Sequence, residues 1–233
     1  LKPLASSRLH GLDTLRACAI LLVMIFHLVQ VLPVGFEPIA KIGWMGVDLF
    51  FVLSGYLIGL QLMKPYRLGR KLSLTEFYRR RLYRIVPAYL CVVLLYFAIP
   101  QWREAQGIAP LWQFLTFTEN LFVDYSSHPA FSHVWSLCVE EHFYLLLPIL
   151  VLGLMRRPAM WRTIALAFFV LLLGIGIRSF ELVHTLQHAP VGGRPWEMLY
   201  LERIYYPTYT RLDGLLVGVI LACIQIFRPA WWS

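Results

Sequence analysis

The sequence predicts an all-α, polytopic membrane helical bundle with about six transmembrane helices, and three observations carry that prediction. Of its 233 residues, 59% are hydrophobic and 15% charged, whereas a soluble domain holds roughly 45–50% and 25%. The apolar residues gather into runs of about twenty, the length an α-helix needs to cross a hydrocarbon core of roughly 30 Å. The basic residues, finally, concentrate in a few short connections, as cytoplasmic loops of membrane proteins do. The net charge of +8 therefore speaks for a lipid bilayer as partner and against nucleic acid. Cys18, Cys91, Cys138 and Cys223 form no CxxC pair and have no metal-like spacing with histidine, so they are expected to be small packing residues and no metal site is expected.

The first span, roughly 13–32, lies within GLDTLRACAILLVMIFHLVQ and carries Arg16 near one end and His27 near the other. At about 100° and 1.5 Å per residue, His27 returns to within roughly 20° of Arg16, about 16 Å further along. One face thus bears a fixed cation and an imidazole that can move protons, and ionisable groups at membrane depth are costly unless they face protein or water. The plain alternative is a cytoplasmic flank residue and a hydrogen-bonded packing residue. No small-x-small cleavage site follows, so the run reads as a retained span and not a signal peptide.

The second span, 44–63, reads GWMGVDLFFVLSGYLIG from Gly43 to Gly59 and contains Asp48, a lone carboxylate in need of a partner such as Arg16. Ser54, Gly55 and Gly59 are small residues of the kind that let helices approach closely. Between this span and the third, 82–100, lies Lys64–Arg84, with Lys64, Arg67, Arg70, Lys71, Arg79, Arg80, Arg81 and Arg84 against the single acid Glu76. Topogenic charge explains most such runs; the sharper reading is that Arg80, Arg81 and Arg84 grip a phosphate-bearing ligand. The segment Leu111–Val123 has only about 13 residues, too short to cross, and is expected to be an interfacial or re-entrant helix at the outer face.

The fourth span, 134–154, opens through FSHVWSLCVEEHFYLLLP, Phe131–Pro148. Ser136, Glu140 and Tyr144 follow at intervals of four and share a helical face, while Glu141 and His142 turn away. Two adjacent carboxylates in an apolar helix are hard to explain as core; one can polarise a base or take a proton. The fifth span is 161–180 and the sixth 208–227, opening with Arg211 and Asp213, which read either as a bracing pair or as part of a site. Lys2, Arg8, Arg156, Arg157, Arg162 and Arg228 all fall on the side of the Lys64–Arg84 loop if six spans alternate. Glu37, Glu104, Glu119, Asp124, Glu181, Glu197 and Glu202 fall opposite. Both ends are thus expected to be cytoplasmic, and the outer loops 101–133 and 181–207 are natural places for an acceptor to dock.

Taken together, Arg16-x10-His27, GVDLFFVLSGYLIG, FYRRRLYRIVP, WSLCVEEHFY and TRLDGLLVG resemble integral-membrane acyltransferase family 3, which includes O-antigen and other polysaccharide O-acetyltransferases. The resemblance covers essentially all of residues 1–233 as one integral-membrane acyltransferase domain. It also implies further spans, so the chain is expected to be incomplete at its C-terminus. It implies a multi-pass protein of the inner (cytoplasmic) membrane with no bound cofactor. Acyl-CoA, acetyl-CoA above all, would be the donor substrate, and the acceptor a hydroxyl of a carbohydrate or glycolipid of the cell envelope, such as lipopolysaccharide. His27 is then the expected base, with Glu140 or Glu141 orienting it in the manner of a triad's third member; a covalent acyl-histidine step is a variant of the same chemistry. The expected donor- and substrate-binding set is Arg16, Asp48, Ser54, Arg80, Arg81, Arg84, Trp135, Ser136, Tyr144, Arg211 and Asp213. A proton-coupled transporter would also need buried His, Glu and Arg, but such proteins usually repeat one half in the other, and no repeat is visible.

Overall fold

The structure is a computed structural model that describes residues 10–31, 35, 37–155, 160–188 and 195–228. The charges at Lys2, Arg8, Arg156 and Arg157 lie outside the described residues. Nine helices are labelled among them: α1 (His10–Val31), α2 (Glu37–Gly43), α3 (Met45–Arg67), α4 (Leu74–Ala98), α5 (Leu111–Leu115), α6 (Trp135–Met155), α7 (Met160–His188), α8 (Trp196–Tyr200) and α9 (Leu212–Phe227). The described residues contain no strand beyond an isolated bridge between Ile108 and Ala130. Among the described residues five helices are long and apolar enough to cross a membrane, and Leu212–Phe227 is a shorter apolar helix of 16 residues. The protein is an all-α polytopic membrane bundle.

The expected spans and the helices differ most at α4. This helix begins eight residues before the expected span because Ser73 caps it: the Ser73 side chain accepts from the Glu76 amide, the first half of an S-x-x-E capping box. Arg79, Arg80, Arg81 and Arg84 therefore stand on helix and not in a loop. The sixth span starts later than expected, since Thr208–Thr210 forms a 3-10 turn ahead of α9. Leu111–Val123 makes no crossing helix; it breaks into α5 and a 3-10 turn at Glu119–Leu121.

The chain divides into two compact units, residues 1–60 with 214–233, and residues 61–213. In the first, α1 packs its Ala19, Leu22, Val23 and Phe26 side against Gly43 and Gly46. The N-terminal part of α3 crosses α9 at backbone distance. A Cβ on Gly55 would run into the Leu215 carbonyl, and one on Gly218 would meet the Val52 carbonyl and, at 2.5 Å, the Tyr56 amide. Small residues at such crossings are what let helices associate tightly in lipid. The Tyr56 hydroxyl donates to Gln225 Oε1 at 2.6 Å beside this crossing.

The second unit is built round Tyr89, Val93, Ala109, Phe114, Phe131, Val134 and Cys138. The Tyr89 hydroxyl donates to the Phe114 carbonyl at 2.8 Å, tying α5 to α4. Phe131 adopts a left-handed conformation (φ 63°) immediately before α6, an unusual state for a non-glycine residue. Its amide donates to Glu104 Oε1 at 2.8 Å and its ring stacks on Tyr96 at 4.1 Å, while the Tyr96 hydroxyl donates to Glu104 Oε2 at 2.9 Å. Glu104 is thus the clasp that seats the start of α6.

Candidate active site

In the first unit, α1 carries Arg16 and His27. At about 100° per residue both fall on a shoulder some 70–90° round from the Ala19–Phe26 seam. Arg16 is half-buried and His27 exposed, the His27 ring standing edge-on to Phe26 at 5.3 Å. The shared face read from the sequence is therefore present, and α1 keeps it clear of its own packing seam. Asp48 is half-buried and Ser54 buried on α3.

In the second unit, α6 carries the acidic pair. Glu140 is buried, Glu141 half-buried, and the Tyr144 hydroxyl donates to Glu140 Oε2 at 3.0 Å. The i, i+4 spacing is realised as a hydrogen bond. Ser136, the third residue on that face, instead donates back to the His133 carbonyl at 3.5 Å. The Arg81 guanidinium of α4 lies 3.3 Å from the centroid of the Tyr144 ring and attracts the Glu141 carboxylate. Arg80 and Arg84 part company with it. Arg80 and Arg79 both pair with Glu76, the latter at 2.6 Å, and Arg84 is exposed. Together with Tyr83 these three arginines line an open hollow of about 480 Å³.

Trp135 and Arg211 come together: the Arg211 guanidinium lies 5.6 Å from the Trp135 ring and 4.6 Å from Tyr205, and Trp135 stacks on Tyr206 at 5.3 Å. Asp213 pairs with Arg178 of α7 at 2.7 Å, and Arg178 also donates to the Thr210 carbonyl. The motif reading missed Arg178, although a lone cation inside an apolar span is itself a signal.

It also missed a polar chain behind α6. His142 Nδ1 shares a hydrogen bond with Thr208 Oγ1 at 2.7 Å, and Asn120 Nδ2 donates to the same hydroxyl at 2.8 Å and to the Tyr206 carbonyl. Beside it Glu119 is buried, and burial pushes its carboxyl up to about 8, so it is neutral at pH 7. Glu104 goes the other way. Burial opposes its ionisation, but the Phe131 amide, its own amide, the Tyr96 hydroxyl and His133 together hold its carboxyl below the usual range.

Comparison with known proteins follows the same residues. The acyltransferase domain family matches residues 9–210, a stretch that holds Arg16, His27, Arg81, Glu140 and Glu141. O-acetyltransferase OatA of Staphylococcus aureus, in strains COL and MW2 alike, is 36% identical over 230 residues, covering 93% of this chain and 34% of the relative. The chain thus spans about a third of the length of these relatives. No solved structure matches.

Proposed function

Because the chain belongs to the acyltransferase domain family, we propose that it moves an acyl group, acetyl first of all, from cytoplasmic acyl-CoA to a hydroxyl of a carbohydrate or cell-envelope glycan. On this reading residues 1–233 form an integral-membrane acyltransferase domain of the inner membrane with the N-terminus in the cytoplasm. The relatives' name, O-acetyltransferase, supports the class of reaction.

His27 takes the proton of the acceptor hydroxyl as its oxygen attacks the thioester carbonyl. The tetrahedral intermediate collapses, the carbon–sulfur bond breaks, and the thiolate of CoA recovers the proton from the imidazolium. Glu140 or Glu141 orients His27 and offsets its charge. Arg80 and Arg84, around their open hollow, hold the donor's phosphates, as guanidinium forks do, with Arg16 as a further cation. Asp48 and Ser54 line the donor path, and Trp135, Ser136, Arg211 and Asp213 stand where α6 and α9 begin, toward the acceptor.

The observation that carries this reading is the buried Glu140 carboxylate, held by the Tyr144 hydroxyl in a membrane-spanning helix. A buried acid of that kind is expensive unless it is used. Membrane vesicles carrying the protein, given acetyl-CoA and a glycan acceptor, should release free CoA in an acceptor-dependent way. His27→Ala should slow that release by about 100-fold or more; unchanged release would overturn the assignment of the base. Movement of the acceptor across the vesicle without thioester cleavage would overturn the transferase reading itself.

A further inference from the structure

We propose that Arg81 is a positioning residue for the Glu140–Glu141 pair and not a member of the arginine cluster that grips the donor. The inference rests on the reading above, in which that pair serves the base. Four arginines stand within six residues, and the sequence offers no way to tell them apart. The structure separates them. Arg79 and Arg80 are exposed and paired with Glu76, and Arg84 is exposed beside Tyr83. Arg81 is half-buried, its Nε wholly so, and its guanidinium lies against α6.

Tyr78, three residues earlier and so on the same face as Arg81, donates its hydroxyl to the Leu145 carbonyl at 2.7 Å. One turn on, the Arg81 guanidinium covers the Tyr144 ring at 3.3 Å, well inside the range of a cation–π contact. The Tyr144 ring is therefore fixed from two sides, by Arg81 on its face and by its own hydroxyl bond to Glu140 at 3.0 Å. A carboxylate is only as well aimed as the donor that holds it, so Arg81 acts on Glu140 through Tyr144. On Glu141 it acts through charge, as the cation that attracts the carboxylate. A guanidinium spent on an aromatic face and an acid two turns into α6 is badly placed to reach a diphosphate at the open hollow.

The test separates chemistry from donor affinity, using membrane vesicles carrying the protein and acetyl-CoA as the probe. Arg81→Met should lower kcat by about tenfold or more with KM for acetyl-CoA within about twofold, and Arg81→Lys, which keeps a cation over the ring, should recover most of the loss. Arg80→Met and Arg84→Met should do the reverse, raising KM while kcat holds. If Arg81→Met does not accumulate in the membrane, Arg81→Gln makes the same comparison. A rise in KM at constant kcat for the Arg81 variants, with Glu140→Gln and Glu141→Gln inactive, overturns the positioning role and leaves the acid pair standing. Full activity of both Glu variants overturns the acid pair, and the positioning role falls with it.

Discussion

The Tyr144 hydroxyl donates to the Glu140 carboxylate one turn earlier on α6, at 3.0 Å. Tyr144→Phe removes that hydrogen bond from a buried acid. Losing a buried hydrogen bond of this kind costs about 1–3 kcal/mol, so the detergent-solubilised protein should lose thermal stability by that order. Acyl transfer should fall about tenfold while KM for acetyl-CoA stays put. Thermal unfolding and initial-rate kinetics on the same preparation check both.

The crossing of α3 and α9 makes a steric prediction. Gly55→Ala drives a methyl into the Leu215 carbonyl, and overpacking of a tight contact costs about 1–3 kcal/mol or more. Folded yield on size exclusion should drop sharply. Gly174→Ala, where nothing lies within 4 Å, is the control and should be indistinguishable from the parent.

Arg178 and Asp213 form a partly buried pair at 2.7 Å. Removing one partner takes the counter-charge from the other in a partly buried site, so each single substitution, Arg178→Met or Asp213→Ala, should cost more than its share. The double variant should be less damaged than the sum of the two. A double-mutant cycle of thermal stability reads the coupling, expected at about 0.5–3 kcal/mol.

Two carboxyls outside the spans give opposite pH signatures. Glu119 titrates near 8 when folded and near the ordinary carboxylate value when unfolded. The folded state therefore binds more protons between those values, and stability falls as pH rises from about 4.5 to about 8. Glu119→Gln should flatten that slope in a melting series. Glu104 is held below its ordinary value, so its contribution is present above the unfolded value and is lost as pH falls through the folded one. Below the ordinary carboxylate range the Phe131 amide should lose protection relative to its intrinsic exchange rate, and Glu104→Ala should show the lower protection already at neutral pH.

Much of this was legible in the sequence because it depends on local spacing. Runs of apolar residues marked the spans, the interval of four from Glu140 to Tyr144 became a hydrogen bond, and thirteen residues at 111–123 proved too few for a crossing helix. What was not legible depends on partners far along the chain. Arg79, Arg80, Arg81 and Arg84 are equivalent as letters, and only the docking of α6 on α4 turns one of them inward. Asp213 reads naturally with its neighbour Arg211, whereas Arg178 lies thirty-five residues away. The early start of α4 was signalled by Ser73 and Glu76, but the density of positive charge around them reads as loop.

The bond from Tyr56 to Gln225 spans 169 residues of chain, and residues 61–213 of the second unit are made between its two ends. During synthesis, therefore, α3 enters the bilayer with its glycine-lined groove vacant and stays so until α9 leaves the ribosome. Assembly of the first unit is a late event, and a chain interrupted anywhere before residue 212 would present an unfilled helix surface to the cell's membrane quality control.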